Sequence, residues 1–183
     1  MVENEFKVML TKEQYEAIHE MYQWDGEKEQ VNHYYDTAEL TLIKSHVTCR
    51  VRFVDGRYLL QMKLPNGADY SRIELEEDIG DTLPDGFDGE RLSAFCGRSG
   101  MPDVRLLGEL KTLRSVKELC GAEIDLDRSS YFGKTDHELE IEFTDEAVAR
   151  TLLADIKQKA CINEKSDVCL GKIHRFIEEY NRR

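Results

Sequence analysis

The sequence predicts an α+β protein in which a mostly antiparallel sheet carries helices on its outside. Three observations support this fold class: segments in which apolar and charged residues alternate, turn signals between those segments, and two amphipathic helical stretches near the C-terminus. The chain has 183 residues, of which 40% are hydrophobic and 34% are charged, and this suffices for one globular core. We therefore expect a single domain over residues 1–183.

The first part of the chain alternates strands with short helices. Residues 2–9 predict a strand. Thr11 stands three residues before Gln14, which is the spacing of a capping box, so a helix should begin there. Val31–Tyr35 predicts a second strand, and Asp36 can cap the helical turn that follows it.

The middle of the chain predicts an antiparallel meander. Asp55-Gly56 lies between two alternating runs, His46–Val54 and Arg57–Leu64, and such a dipeptide is a strong hairpin signal. A second turn at Pro65-Asn66-Gly67 leads into a third strand, Tyr70–Glu77. These three strands should therefore pair in chain order.

The second half of the chain predicts more strands, and helices then end the chain. Residues 78–102 contain prolines and glycines and predict a loop with one helix inside it. The later elements are predicted as the helix Gly89–Cys96, the strands Val104–Leu119, Ala122–Ser130 and Asp136–Phe143, and two amphipathic helices with stripes at Ala147–Ile156 and Leu170–Tyr180.

Net charge and cysteine usage limit the partners and the location. The formal net charge of −12 disfavours binding to duplex nucleic acid or to an anionic membrane by bulk electrostatics. The 5 cysteines form no C-x-x-C pair, so neither a zinc site nor a disulfide framework is indicated. The sequence contains no signal peptide pattern and no apolar stretch near the about 20 residues that cross a bilayer. These features predict a cytoplasmic protein.

Six of the predicted strands have one charged face and one apolar face, because side chains alternate between the two faces of a strand. The polar and charged positions are Glu3, Glu5 and Lys7; Arg50 and Arg52; Gln61 and Lys63; Arg72, Glu74 and Glu76; Glu123, Asp125 and Asp127; and Glu138, Glu140 and Glu142. A one-sided sheet with its charged face in water also shows this alternation. Charges of one sign at every second position, however, favour sorting into cationic and anionic regions.

About eight such strands can close into a barrel, with the apolar faces outward under the helices and the charged faces around a wet interior. Arginine and lysine bind phosphate oxygens, and clustered carboxylates bind hard cations such as Mg²⁺ or Mn²⁺. The two together predict a cavity for a metal–polyphosphate complex, which is the combination that phosphoryl transfer needs.

The same residues resemble the CYTH domain family, the triphosphate tunnel metalloenzymes, of the Gram-positive bacterial type. The N-terminal E-x-E-x-K motif of the family stands here as Glu3-Asn4-Glu5-Phe6-Lys7. The other motifs follow in family order as Tyr34-Tyr35-Asp36-Thr37, Cys49-Arg50-Val51-Arg52, Leu60-Gln61-Met62-Lys63, Arg72-Ile73-Glu74-Leu75-Glu76, Glu138-Leu139-Glu140-Ile141-Glu142, and Lys172 with Arg175 before Phe176.

The resemblance implies an eight-stranded antiparallel β-barrel that forms a charged tunnel, and it implies a role for each matched residue. The residues expected to bind the triphosphate are Lys7, Arg50, Arg52, Lys63, Arg72, Lys111, Arg114, Lys172 and Arg175. Those expected to bind one or two Mg²⁺ or Mn²⁺ ions are Glu3, Glu5, Glu74, Glu76, Asp125, Glu138 and Glu140. Glu3, Glu5, Lys7 and Arg52 are expected to act directly in catalysis.

Two details of the site stay open. Where relatives have two adjacent basic residues, this chain has Leu113-Arg114. Lys111 and Arg114 are three positions apart, so their side chains should point to opposite faces of a regular strand. Lys111 can replace the missing residue only if a bulge brings it to the face of Arg114. In the acidic strand, either Asp125 or Asp127 can be the metal ligand.

The expected function is metal-dependent hydrolysis of a triphosphate, either inorganic tripolyphosphate or a nucleoside or thiamine triphosphate. A second hypothesis keeps the tunnel but converts ATP to cAMP and pyrophosphate. A third is a non-catalytic module that binds polyphosphate or nucleotide, and a fourth is a structural β-domain with a solvated charged face. The acidic residues are all in place, which disfavours the non-catalytic module. The sequence leaves the oligomeric state and the exact triphosphate open.

Overall fold

The computed structural model describes residues 4–66, 72–162 and 170–183, and for Arg72 the backbone alone. The strands are β1 Glu5–Leu10, β2 Gly26–Asp36, β3 Thr48–Val54, β4 Arg57–Pro65, β5 Arg72–Asp78, β6 Gly86–Phe87, β7 Val104–Leu119, β8 Ala122–Tyr131 and β9 Lys134–Phe143. The helices are α1 Lys12–Met21, α2 Thr41–Lys44, α3 Gly89–Cys96, α4 Glu146–Lys159 and α5 Lys172–Tyr180. Within these described ranges, no helix is long and apolar enough to span a membrane.

The nine strands belong to one antiparallel sheet. Eight of them lie side by side along one path, in which β1, β9, β8 and β7 are successive neighbours, as are β2, β3, β4 and β5. The two-residue strand β6 lies off that path and pairs with β7. The sequence predicted eight strands and missed β6, because two residues are too few to show an alternation. Among the described residues the path has two ends, β1 and β5, so closure into a barrel stays a prediction.

The chain forms two compact units. Among the described residues, the first unit contains 30–66, 72–110 and 172–183, and the second unit contains 4–29, 111–162 and 170–171. Each unit has its own hydrophobic cluster.

Three of the strand connections are two-residue hairpins of one kind. Asp55-Gly56, Cys120-Gly121 and Phe132-Gly133 each join two adjacent strands, and both residues of each pair have positive φ. This is the geometry of the turn that matches the right-handed twist of strands. The hairpin predicted at Asp55-Gly56 is confirmed, whereas Cys120 and Phe132 adopt a left-handed conformation that side chains of their size seldom take.

The second unit buries the apolar face of β1, β8 and β9 under helices α1 and α4, as the alternation predicted. The residues involved are Val8, Leu10, Ile124, Leu126, Leu139 and Ile141 from the strands, with Tyr15, Ile18, Ala149 and Ile156 from the helices. Helix α1 begins with the predicted capping box, because the Thr11 side chain accepts from the Gln14 N–H and the Gln14 side chain accepts from the Thr11 N–H.

The first unit buries the apolar face of β3 and β4 in the same way. Leu42 of α2 and Leu92 of α3 join its cluster, which includes Cys49, Val51, Leu60, Met62 and Leu64. Asp36 accepts hydrogen bonds from the backbone N–H groups of Leu42 and Ile43, at 2.9 and 3.0 Å, so it satisfies the first turn of α2 as predicted, although the N-cap residue itself is Leu40. Burial raises the pKa of the Cys49 thiol to about 12.

Helix α5 corrects the prediction that the helices cover the apolar faces. The ring of Phe176 lies 4.9 Å from the ring of Tyr34, centroid to centroid. Tyr34 is the register partner of Arg50, and directly paired residues of an antiparallel ladder point to the same face. In the first unit, α5 therefore packs on the charged face, and its stripe of Phe176 and Ile177 is buried there.

Candidate active site

Strands β1, β9, β8 and β7 of the second unit present one charged face, which we call the Arg114 face. The register places its residues in three rows: Glu5, Glu142 and Glu123; Lys7, Glu140 and Asp125; and Glu138, Asp127 and Arg114. Asp125, Asp127, Glu138 and Glu140 are all buried. The alternation in the sequence predicted this face, because these residues stand at every second position of regular ladders.

Arg114 lies among three carboxylates. Its Nε and Nη2 atoms donate to the two oxygens of Asp127 at 2.8 and 2.7 Å. Nη1 donates to Asp125, and Nη2 also donates to Glu140. Burial of the guanidinium acts against its charge, but the carboxylates of Asp127, Glu140 and Asp125 outweigh burial and raise the pKa of Arg114. Arg114 is therefore a permanent cation in this face.

Lys7 pairs with the neighbouring row of carboxylates. Its Nζ atom lies 2.7 Å from Glu140 Oε1 and 3.0 Å from Glu5 Oε2. Glu140 thus contacts Lys7 through one oxygen and Arg114 through the other. Glu140 therefore bridges the two cationic side chains, Lys7 and Arg114, of this face.

Asp125 differs from Asp127 in two ways, and both bear on the ligand question that the sequence left open. One of its oxygens, Oδ1, is buried without a hydrogen-bond partner, whereas both oxygens of Asp127 accept from Arg114. Burial raises the pKa of Asp125 to about 8; Arg114 opposes this shift, and the charges of Asp127, Glu123 and Glu140 add to it. An unsatisfied buried carboxylate fits a metal ligand, so the geometry favours Asp125.

Two groups of carboxylates on this face bring oxygens close enough to share a cation. In one group, oxygens of Glu5, Glu140 and Glu142 lie within 4.8 Å of one another, and in the other so do oxygens of Glu123, Asp125 and Glu142. All the donors are carboxylate oxygens, which suit Mg²⁺ and Mn²⁺. Together with the unsatisfied oxygen of Asp125, this donor set fits a divalent ion.

The residue-by-residue prediction of the ligands matched only part of these groups. Glu5, Glu140 and Asp125 were predicted, whereas Glu142 and Glu123 were not assigned as ligands. The signal for both was present, because each lies two positions from a predicted ligand and therefore on the same face. Glu138 is buried opposite Asp127 and belongs to neither group, and Glu3 lies outside the described residues.

Strands β2 to β5 of the first unit present a second charged face, which we call the Arg50 face. Arg50 Nε donates to the amide oxygen of Gln61 at 2.7 Å, and Gln61 in turn donates to Glu76. Arg52 Nε donates to the amide oxygen of Asn32 at 3.2 Å. Both arginines therefore have a neutral side-chain acceptor beside them.

The remaining predicted residues of the first unit lie on β4, β5 and α5. Lys63 forms an ion pair with Glu74, its register partner. On α5, Arg175 is buried and Lys172 is half-buried, and Phe176 holds that helix on the Arg50 face. The side chain of Arg72 lies outside the described residues.

Lys111 does not share the face of Arg114. The β7–β8 register runs residue by residue from Lys111 opposite Ser130 to Leu119 opposite Ala122. No bulge interrupts this described stretch, so the alternation carries Lys111 to the other face of β7, where it is exposed. The bulge needed for Lys111 to replace the missing basic residue is therefore absent, and we do not retain Lys111 as a substrate contact.

Comparison with known proteins relates the chain to one family. The family model described as CYTH domain matches residues 1–169. The Bacillus subtilis (strain 168) protein named "Putative triphosphatase YjbK" is 31% identical over 187 residues, which cover 97% of this chain and 95% of that protein.

Solved structures show the same fold. The chain is similar to a crystal structure from Bacillus halodurans described as a "putative adenylate cyclase", with a TM-score of 0.77 and 24% identity over 96% of this chain and 97% of that chain. It is also similar to HpAC1 from Hippeastrum, described as having a dominant triphosphatase activity, with a TM-score of 0.73 and 20% identity over 97% of this chain and 96% of that chain.

Proposed function

The chain belongs to the CYTH domain family, and from this premise we propose that it is a divalent-metal-dependent triphosphatase. It would remove the terminal phosphate of inorganic tripolyphosphate or of a nucleoside or thiamine triphosphate. The name of the Bacillus subtilis relative supports this reaction class. The proposal includes a single catalytic domain over residues 1–183 and a sheet closed into a barrel-shaped tunnel, as the family resemblance implies.

The observation that carries the proposal is the excess of carboxylates around Arg114 and Lys7. Asp125 has a buried oxygen without a hydrogen-bond partner, and two carboxylate groups bring their oxygens within 4.8 Å. Carboxylates packed this closely repel one another, and a divalent cation relieves that repulsion. A face built only to be stable would gain little from such an arrangement.

The proposed ligands of Mg²⁺ or Mn²⁺ are Glu5, Glu140 and Glu142, with Asp125 and Glu123 for a second ion. A bound ion would neutralise phosphate oxygens and lower the pKa of an attacking water. Lys7 and Arg114 both contact Glu140, one of the proposed ligands, so their N–H groups would lie near phosphate oxygens that the metal ion binds. Glu3 and Glu138 remain proposed ligands by family resemblance alone.

On the Arg50 face, we propose that Arg50, Arg52 and Lys63 bind phosphate oxygens. Arginine suits this role because its planar group donates two parallel hydrogen bonds. Arg72, Lys172 and Arg175 are proposed for the same role, and Glu74 and Glu76 as further metal ligands, from the family motifs. Glu3, Glu5, Lys7 and Arg52 are each also proposed to act in catalysis, by family resemblance.

A substrate screen tests the proposal. The purified protein is incubated with tripolyphosphate, ATP and thiamine triphosphate, each with Mg²⁺, Mn²⁺ or a chelator, and phosphate, pyrophosphate and cAMP are quantified. The expected result is metal-dependent release of phosphate from at least one of the three. No turnover of any triphosphate would refute an enzymatic role, and binding without turnover would indicate a non-catalytic module. Formation of cAMP and pyrophosphate from ATP would replace hydrolysis by the cyclase reaction.

A further inference from the structure

We infer that Asp127 is a positioning residue, which holds the guanidinium of Arg114 in a fixed plane so that its other N–H groups could bind phosphate when Asp125 and Glu140 hold a metal ion. This inference rests on the proposed triphosphatase function. It assigns Asp125 and Asp127, two carboxylates on one strand, to different tasks.

The first support is the pair of parallel hydrogen bonds that Arg114 donates to Asp127, which we call the fork. The two residues are register partners on β8 and β7, and Nε and Nη2 of Arg114 reach one oxygen of Asp127 each, at 2.8 and 2.7 Å. Two parallel hydrogen bonds fix the plane of a guanidinium as well as its position. The remaining N–H groups of Arg114, on Nη1 and on the far side of Nη2, take no part in this fork, and we call them the outer N–H groups.

The partners of the outer N–H groups are the second support. Nη1 donates to Asp125 and Nη2 donates to Glu140, and each of these carboxylates belongs to one of the two groups that could share a cation. Asp127 belongs to neither group among the described residues. A metal ion at either group would bind a carboxylate that Arg114 also contacts, through the free Oδ1 of Asp125 or through an oxygen of Glu140. It would weaken the hydrogen bond from Arg114 by neutralising that carboxylate, whereas the fork with Asp127 would persist.

The consequence is an exchange of partners at Arg114. Without metal, its outer N–H groups are satisfied by Asp125 and Glu140. If a metal ion neutralised these carboxylates, their hydrogen bonds from Arg114 would weaken, and the same N–H groups would be available to the triphosphate. The guanidinium does not have to move, because Asp127 continues to hold it.

The test compares Asp127→Asn with Asp125→Asn, each alone and combined with Arg114→Ala. The dissociation constant of Mn²⁺ is measured from the paramagnetic resonance signal of the free ion, without substrate, and KM and kcat are measured with tripolyphosphate. Asp125→Asn should weaken Mn²⁺ binding by about tenfold or more. Asp127→Asn should change Mn²⁺ binding by less than about threefold, and both Asp127→Asn and Arg114→Ala should raise KM for tripolyphosphate by about tenfold.

Non-additivity is the further readout, because a merely structural role would not produce it. If Asp127 acts through Arg114, the double variant Arg114→Ala with Asp127→Asn should have the KM of Arg114→Ala alone. Equal losses of Mn²⁺ affinity in the Asp125 and Asp127 variants, or KM effects that multiply in the double variant, would overturn the inference.

The test also covers two further outcomes: a variant that does not fold, and a wild-type protein without activity. If Asp127→Asn does not fold, Asp127→Glu keeps the charge but moves the fork by one methylene, and it should leave Mn²⁺ binding within about threefold while raising KM. If the wild-type protein hydrolyses nothing, the proposed function fails. The Mn²⁺ comparison between the Asp125 and Asp127 variants still decides whether Asp127 is a ligand.

Discussion

The Arg50 face and the Arg114 face arise from the same alternation, yet they treat their arginines differently. On the Arg50 face, Arg50 and Arg52 donate to the neutral amides of Gln61 and Asn32. On the Arg114 face, Arg114 donates to three carboxylates. A hydrogen bond to a neutral amide does not cancel the positive charge of Arg50 or Arg52. Arg114, in contrast, contributes one positive charge among three acidic side chains.

This difference bears on the ion that we propose for the residues of each face. Arginines beside neutral amides keep their attraction for an anion, because the amide satisfies a hydrogen bond without cancelling charge. Carboxylates that outnumber the cations beside them keep their attraction for a cation. We therefore propose that Arg50 and Arg52 bind phosphate oxygens and that the carboxylates of the Arg114 face bind a metal ion. Substitutions on the two faces test this contrast, and the largest effect is expected on the Arg114 face.

Loss of a charge at Glu140 should have the largest effect. This carboxylate contacts Lys7 and Arg114 and belongs to a group of candidate ligands, so Glu140→Gln should lower kcat for tripolyphosphate by about 100-fold or more. Steady-state kinetics at saturating metal measure it. Glu16→Gln, on the exposed side of α1 in the same unit, is the matched control and should behave as wild type. An unchanged rate in Glu140→Gln would refute the site.

The affinity of the metal-free protein for Mn²⁺ should rise with pH, by up to about tenfold per unit, until the pH reaches the raised pKa of Asp125 at about 8. Below that pH the folded protein holds a proton on Asp125, which the metal ion must displace. Calorimetry in buffers of different ionisation enthalpy measures the proton release. Asp125→Asn should lose this component, and an identical pH profile in that variant would contradict the assignment.

The same shift affects stability. The pKa of Asp125 is raised from its ordinary value of 3.8 to about 8 in the folded state, so its contribution is present at low pH. That contribution is lost as the pH rises through about 8. Between pH 5 and 8, the unfolding free energy of the metal-free protein, from urea titration, should therefore fall more steeply for wild type than for Asp125→Asn.

Replacing an arginine of the Arg50 face should affect binding rather than metal affinity. Arg52→Ala should raise KM for tripolyphosphate by about tenfold and leave the Mn²⁺ dissociation constant unchanged, because a guanidinium binds phosphate oxygens but does not ligate a metal ion. Arg57→Ala, an exposed arginine of the same sheet that pairs with Asp78, is the control. Unaltered KM and kcat in Arg52→Ala would count against its placement.

The smallest effect is expected at Gln61. Gln61→Met keeps the length of the side chain but removes the acceptor of Arg50 and the donor to Glu76. Because no charge is lost, KM should rise by only about threefold, and Mn²⁺ binding should stay the same. A loss as large as that of Asp127→Asn would mean that the two faces do not differ as described.

Much of the fold could be predicted from the sequence, because it depends on local signals. The capping box at Thr11 and Gln14, the hairpin at Asp55-Gly56 and the alternation along β8 and β9 are each set by a few neighbouring residues. The strand β6 has only two residues and showed no pattern. The position of α5 depends on Phe176 meeting Tyr34, far away in the sequence, so its amphipathic stripe did not reveal which face it covers.

The candidate site shows the same limit. The alternation along β8 and β9 predicted that Asp125, Asp127, Glu140 and Glu142 lie on one face. It did not predict which of their oxygens already accept hydrogen bonds. The different tasks of Asp125 and Asp127 depend on the reach of Arg114 from the neighbouring strand. The exclusion of Lys111 likewise depends on the register, because a single bulge would have reversed it.

The most direct test of the metal site is a Mn²⁺ titration of the purified protein, followed by the resonance signal of the free ion, in wild type and Glu140→Gln side by side. We predict saturable binding by the wild-type protein, weakened by about tenfold or more in the variant. Absence of binding in the wild type, or equal affinity in both proteins, would contradict the claim that the Arg114 face holds a divalent ion.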